Sequence, residues 1–154
     1  MHVQPRYTGA VRASTLRRAA QAALAAARVR RRVALTIVVA GDAALRRLNR
    51  DFLGVDAPTD VLSFPTGGGP DGSWKPVGAG RQYLGDVIIS LARAKAQAKI
   101  GGHALDDELR LLVIHGVLHL LGLDHGTVED KRRMWSLQAK ALMKAGAWIA
   151  GPAV

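Results

Sequence analysis

Three histidines stand close together in the segment LLVIHGVLHLLGLDH, residues 111–125. His115 and His119 are four residues apart, which places both imidazoles on one face of a helix, about 6 Å apart along its axis. His125 can join them only if the helix ends and the chain turns back. Gly122 permits that turn, because a left-handed C-terminal cap favours glycine. Three neutral imidazoles with an open fourth position are typical of a catalytic zinc site.

The alternative is that these residues are core histidines held by ordinary hydrogen bonds. The chain has five His among 154 residues, so even scattering would place only about 0.4 in an eleven-residue window. An imidazole buried among leucines without a partner is also costly. The chain has no Cys, so a metal must be held by His and carboxylate. We therefore predict one zinc per chain, bound by His115, His119 and His125.

The length and composition indicate one globular domain over residues 1–154, with 49% apolar residues. The absence of Cys suits a reducing compartment, and we expect a cytoplasmic protein. The apolar run 111–123 contains two His and is too short to span a bilayer. An Arg- and Ala-rich start is also typical of a transit peptide, but the strand-like residues 33–39 follow too soon for that interpretation.

The net charge of +10 is unevenly distributed. Residues 1–41 carry eight Arg and no acidic residue, whereas the remainder has 14 basic and 12 acidic residues. This asymmetry favours a polyanionic partner, of which nucleic acid is the commonest. A solvated, Arg-rich surface fits the charge alone equally well.

The elements that must position the histidines follow from periodicity and cap residues. Five helices are predicted, over 14–27, 42–54, 90–99, 105–121 and 127–145. Their N-caps should include Ser14, Asp42, Ser90 and Thr127. Four strands are predicted, over 2–7, 33–39, 61–64 and 84–89. A Gly/Pro-rich loop covers 65–82. The sequence therefore predicts an α+β domain, a small mixed sheet of about four strands covered by five helices.

The histidine spacing is similar to that of metzincin proteases, with one departure that decides against that class. Gly116 follows the first His, where metalloproteases place the Glu that activates water. The whole motif HGVLHLLGLDH (115–125) resembles more closely that of the YbeY family, the bacterial endoribonucleases of ribosomal RNA maturation. PTDVLSFP (58–65) and LGDVIIS (84–90) are similar to two further blocks of that family. Leu48-Asn49 also fits.

The resemblance covers about residues 48–125 and implies a zincin-like α+β fold with a zinc held by the three histidines. It also implies single-strand-specific RNA cleavage in ribosomal RNA processing and quality control. The partners so implied are ribosomal RNA and components of the small ribosomal subunit. The resemblance leaves the oligomeric state open.

One departure from the family concerns an Arg of its N-x-x-[YF] segment, implicated in catalysis or RNA contact. Leu53 occupies that position here. Arg50 lies three residues earlier, on nearly the same helical face, and Arg81 flanks the Gly-rich loop. Either is a candidate for the missing guanidinium.

Other side chains are candidates for the acid and for the cleft walls. Asp124 and Asp86 are the candidate proton donors. Asp124 is next to His125, so an orienting role is favoured over proton transfer. Asp86 sits in an apolar strand, where a structural hydrogen bond is the alternative. Thr59, Asp60 and Ser63 either line the cleft or cap turns, and the turn role is favoured for the first two. Trp74 is a candidate for base stacking, and His103 is expected at the surface.

Three functional hypotheses remain. The first is a zinc-dependent endoribonuclease. The second is a metal-dependent hydrolase of another substrate, with protease action disfavoured by Gly116. The third is an RNA-binding ribosome-assembly factor whose metal is mainly structural and whose nuclease activity is weak or absent.

Overall fold

The structure is a computed structural model, and it describes residues 2–3, 9, 11–66, 76–77 and 81–149. The helices are α1 Ala13–Ala26, α2 Asp42–Leu53, α3 Leu91–Gly101, α4 Leu105–Leu120 and α5 Val128–Ala145. The strands are β1 His2–Val3, β2 Val33–Ala40, β3 Val61–Pro65, β4 Pro76–Val77 and β5 Arg81–Ser90. The five predicted helices and the α+β class are confirmed.

β5 is the central strand of a mixed sheet with the order β1-β2-β5-β3, and β4 pairs with the start of β5. β2 runs parallel to β5, and β3 runs antiparallel to it. These three are the strands of five or more residues, one fewer than the four full strands expected. β1 and β4 add two residues each. The buried β5 has neighbours on both sides, which suits its apolar run.

α4 lies at the centre of the core because it is apolar on nearly all sides. Eleven of its 16 residues are buried, as expected for a helix without a polar face. It packs against α1, α3 and α5 and against one face of β3 and β5. α2 covers the opposite face of the sheet, where Leu45 packs with Ala40 and Leu62. The histidine-bearing helix is thus held on several sides.

Two predicted N-caps are confirmed and two are wrong. Ser90 Oγ accepts the Arg93 N–H at 3.3 Å, and Thr127 caps α5 in the same way. α1 begins one residue before Ser14 and has no side-chain cap. α2 begins at Asp42 itself, whose carboxylate instead accepts hydrogen bonds from Ser90 Oγ and Arg93 Nε at 3.2 Å. The Asp42 carboxylate therefore bonds to residues distant in the sequence and does not form the α2 cap that the local pattern predicts.

The predicted loop over 65–82 is too long at both ends. β3 includes Pro65, β5 begins at Arg81, and β4 lies between them. Trp74 and most of the predicted first strand lie outside the described residues. His103 is not at the surface: its side chain is 7% exposed and lies 2.5 Å from Glu108. Among the described residues no helix is both long and apolar enough to cross a membrane.

Candidate metal centre

The three histidines of the motif come together at the end of α4. The Nε2 atoms of His115 and His119 are 3.1 Å apart. The ring of His125 returns from the following loop to within 5.9 Å of His115 and 5.4 Å of His119, between centroids. The reversal passes through Gly122, whose φ of +89° lies in the left-handed region. The predicted turn and its glycine are therefore confirmed.

The donor atoms have the spacing that a shared ion requires. One ligand nitrogen from each histidine lies within 4.8 Å of the other two. Two nitrogens bound to one tetrahedral zinc at about 2.0–2.1 Å stand roughly 3.4 Å apart. The His115–His119 separation of 3.1 Å is close to that value. Small side-chain shifts bring all three nitrogens to bonding distance, so the group can hold a metal ion.

Gln138 of α5 orients the first histidine. Its Oε1 lies 3.1 Å from His115 Nδ1, and its side chain is 1% exposed. The amide oxygen can only accept, so Nδ1 carries the imidazole proton and Nε2 keeps a lone pair for a metal. Gln138 lies outside the histidine motif and is not among the predicted site residues. The available signal was a polar residue on the apolar stripe of α5, between the buried Met134 and Ala141.

Burial keeps two of the histidines neutral. Desolvation lowers the pKa of His115 below its usual value. Desolvation and the neighbouring His115 and His125 lower the pKa of His119 to about 4. At neutral pH both imidazoles are therefore uncharged, as metal ligands must be.

A cleft of about 380 Å³ opens onto the histidines. Besides the three imidazoles, its walls come from the end of α2, the turn before β3, and β3 itself: Leu53, Thr59, Asp60, Val61, Leu62, Ser63 and Pro65. Asp60 also caps its turn, since its Oδ1 accepts the Val61 N–H at 2.8 Å. The cleft gives a small substrate segment direct access to the centre.

A model of the endoribonuclease YbeY family matches residues 6–146 of this chain. The chain belongs to the YbeY family. The Endoribonuclease YbeY of Moorella thermoacetica is 45% identical over 134 residues, which are 86% of this chain and 86% of that protein. That of Solibacter usitatus is 49% identical over 109 residues, 71% of this chain and 64%, less than two thirds, of that protein. In structure, the solution structure of TM1509 from Thermotoga maritima matches 88% of this chain and 84% of its own, with a TM-score of 0.57 and 25% identity.

Packing against the sheet explains why a glycine, and not the glutamate of a metalloprotease, follows the first histidine of this YbeY-family chain. A Cβ at Gly116 would lie 2.5 Å from Val87 Cγ1 and 3.2 Å from Ser63 Oγ. Ser63 Oγ also donates to the Gly116 carbonyl at 2.9 Å. The position after the first histidine therefore faces the sheet at close contact, with no room for a glutamate. In this YbeY chain any proton donor must come from elsewhere.

The arginine candidates lie outside the cleft of this YbeY chain. Leu53 itself lines the cleft and is 60% exposed. Arg50 is exposed, and its Nε donates to Asp51 Oδ1 at 2.9 Å. Arg81 is exposed at the start of β5. Neither arginine is among the described cleft residues, so their catalytic role stays a prediction.

The two carboxylate candidates have different surroundings. Asp124 Oδ1 accepts the N–H of His125 at 2.7 Å, which supports the loop beside the metal centre. Asp86 accepts a hydrogen bond from the Tyr83 hydroxyl. Its neighbour Val87 faces α4, so Asp86 points to the other face of the sheet. The geometry gives Asp124 an orienting contact and Asp86 a structural one, and proton transfer by either stays a prediction.

Proposed function

We propose that this protein is a zinc-dependent endoribonuclease that cleaves single-stranded RNA and acts in ribosomal RNA maturation and ribosome quality control. The observation that carries the proposal is the convergence of His115, His119 and His125 on one open cleft in a chain of the YbeY family. The ribosomal role and the small-subunit partners rest on the family resemblance. We place the protein in the cytoplasm, working as a single domain over residues 1–154.

The residues of the cleft have distinct tasks in such a reaction. His115, His119 and His125 hold the ion, and Gln138 fixes the ring of His115. Bound zinc supplies a polarising charge for a phosphoryl oxygen and a water of lowered pKa. Asp124 holds the backbone of the third ligand in place.

An exposed aromatic ring beside the cleft supports single-strand specificity. Phe52 directly precedes Leu53 of the cleft wall in the chain and is 68% exposed, and its ring centroid is 5.4 Å from that of Phe64. A base can stack on such a ring only when it is free of its own duplex. A single strand can therefore place a base on Phe52 and the adjoining phosphate in the cleft.

The test is cleavage of a single-stranded RNA by the zinc-loaded protein, compared with a duplex and with single-stranded DNA of the same sequence. We expect cleavage of the single-stranded RNA, its loss on chelation and its return with zinc. His119→Ala should lose both the bound metal and the cleavage, measured by metal analysis and by product formation. Equal metal content in wild type and His119→Ala would overturn the metal assignment.

A second candidate function is an RNA-binding assembly factor with a mainly structural metal. It is favoured by one observation: no arginine or lysine is among the described residues that line the cleft. Phosphodiester cleavage needs a group that stabilises the added negative charge. RNA binding by a zinc-loaded protein that leaves the RNA intact would support this candidate over the nuclease.

A further inference from the structure

A second groove, of about 530 Å³, opens between the ends of α1 and α4 and the middle of α5. We call it the basic groove. Four exposed cations line it: Arg28 and Arg31 after α1, and Arg133 and Lys140 on α5. The loop 121–123 and other half-buried apolar residues form the rest of the lining. No carboxylate is among the described residues that line it.

The groove cations differ from other arginines of the protein in their partners. Among the described residues, none of the four makes an ion pair. Four arginines elsewhere each lie within 3.2 Å of an aspartate oxygen: Arg46, Arg50, Arg93 and Arg110. No side chain in the described part of the chain therefore pairs with the cations of the basic groove.

The partial negative charges of the nearby helix C-termini are too small to neutralise the four cations of the basic groove. α1 ends at Ala26 and α4 at Leu120, so both C-termini adjoin the groove. Each C-terminus is equivalent to roughly half a negative charge. Two such ends offset about one positive charge of the four. The remaining positive charge is available to salt ions or to an external polyanion.

The basic groove borders the metal centre. Leu123 in its lining is two residues from His125, and two residues span at most about 7 Å. The two sites are therefore within the reach of one RNA strand. The lining also favours a polyanionic chain over a simple anion, because four cations from two separate elements suit several phosphates rather than one.

We propose that the basic groove binds the phosphate backbone of the same RNA strand whose scissile bond lies at the His115–His119–His125 centre. The proposal rests on the proposed endoribonuclease function and extends it from the cleft to the path of the substrate. It assigns part of the N-terminal arginine excess, Arg28 and Arg31, to substrate binding.

The test uses two double variants with the same change in charge. Arg31→Gln/Arg133→Gln removes two groove cations. Arg30→Gln/Arg132→Gln is the control. It removes two arginines that are adjacent in sequence to the groove cations, exposed, and not among the residues that line the groove. We expect the first variant to bind a long single-stranded RNA about tenfold more weakly at 0.15 M salt, with a salt slope smaller by about 1.4, the effect of two lost phosphate contacts. The second should change both quantities far less.

Cleavage assays separate this proposal from the proposed function. With the zinc-loaded proteins, the groove variant should show a raised KM for the long RNA, whereas both double variants should cleave a dinucleotide at equal rates. If wild type cleaves RNA but the two variants bind and cleave alike, the basic groove is not a substrate site. If wild type cleaves nothing, the proposed function fails while the binding comparison still decides the groove. A poly-glutamate peptide that binds through the groove, with RNA binding unchanged, would assign it to an acidic protein and overturn the proposal.

Discussion

A neutral imidazole has one proton and two nitrogens, and Gln138 decides where the proton of His115 lies. With Nδ1 donating to the Gln138 oxygen, Nε2 faces His119 and His125 with its lone pair. Asp124 acts on the third ligand through its backbone N–H rather than its ring. The metal centre therefore depends on residues from α4, the loop after it and α5.

Replacing Gln138 should weaken zinc binding without removing a ligand. We expect Gln138→Met, similar in size but without the amide oxygen, to bind zinc about 10–100-fold more weakly, the usual effect of losing such a supporting partner. Gln138→Glu keeps an acceptor and should retain the affinity. Competition with a chromophoric chelator measures this, and Gln21→Met on the exposed face of α1 is the control. Equal zinc affinity in Gln138→Met and wild type would remove Gln138 from the site.

The role predicted for Arg50 can be tested against a matched neighbour. An exposed ion pair such as Arg50–Asp51 contributes little, so a substrate phosphate can compete for the guanidinium. We expect Arg50→Ala to reduce RNA cleavage by at least about tenfold with its zinc content intact. Arg46→Ala is the control, because Arg46 lies one turn earlier in α2 and has a similar ion pair with Asp56. Wild-type rates in both variants would leave Arg50 without a catalytic role.

The Leu53 position offers the converse experiment. Because Leu53 is 60% exposed and lines the cleft, Leu53→Arg should place a guanidinium at its mouth without disturbing the core. We expect a higher cleavage rate at unchanged zinc content, since such a group stabilises the charge that develops on the phosphoryl oxygens. The rate is measured in single-turnover assays. A lower rate in Leu53→Arg would show that the leucine itself contributes to substrate contact.

At the scale of elements, α4 is both the centre of the core and the carrier of two ligands. Its buried faces leave little freedom, and Gly116 brings it against β5. The ligand positions are therefore set by packing between a helix and a sheet, which suits a site that requires fixed geometry. The loop from Gly122 to Thr127 is the less buried part of the site.

Adding a methyl group at Gly116 should destabilise the protein. Overpacking against Val87 destabilises the folded state by about 1–3 kcal/mol. This loss outweighs the gain of ~1 kcal/mol that alanine normally gives over glycine in a helix. We expect Gly116→Ala to lower the free energy of unfolding in urea. In a Val87→Ala background the same change should be neutral or stabilising, because the contacting methyl is gone. Equal losses in both backgrounds would contradict the packing explanation.

At the scale of the whole molecule, the features that depend on local sequence spacing were predicted, and most features that depend on tertiary packing were not. The helices around 105–121 and 127–145, the caps at Ser90 and Thr127 and the histidine triad all follow from spacings within a few residues. The sequence marks Gln138 as a polar residue on an apolar stripe, but its contact with His115 and the basic groove could not be predicted, because each depends on how α5 packs against α4 or α1. The same holds for the Asp42 carboxylate, which accepts hydrogen bonds from Ser90 at the end of β5 and from Arg93 in α3.

Metal removal should destabilise the whole fold rather than the site alone. The ligands connect α4 to the loop that leads into α5, and an ion that binds only the folded state stabilises it by mass action, about 2.7 kcal/mol at a hundredfold excess over Kd. We expect a higher Tm for the zinc-loaded protein and a rise with zinc concentration. The stabilisation should be absent in His119→Ala. A Tm independent of zinc in the wild type would contradict the coupling.

The parallel pairing of β2 with β5 has a consequence for synthesis. Ile37 pairs with Val87, fifty residues later in the chain, so at about 5–20 residues per second β2 leaves the ribosome roughly 3–10 s before its partner. During that time VALTIVVA, an uncharged and mostly β-branched segment, has the two residues of β1 beside it but lacks its long partner β5, and its open edge is like that of aggregation-prone sequences. Arg30, Arg31 and Arg32 directly precede it, in the place where charged gatekeepers keep nascent chains apart.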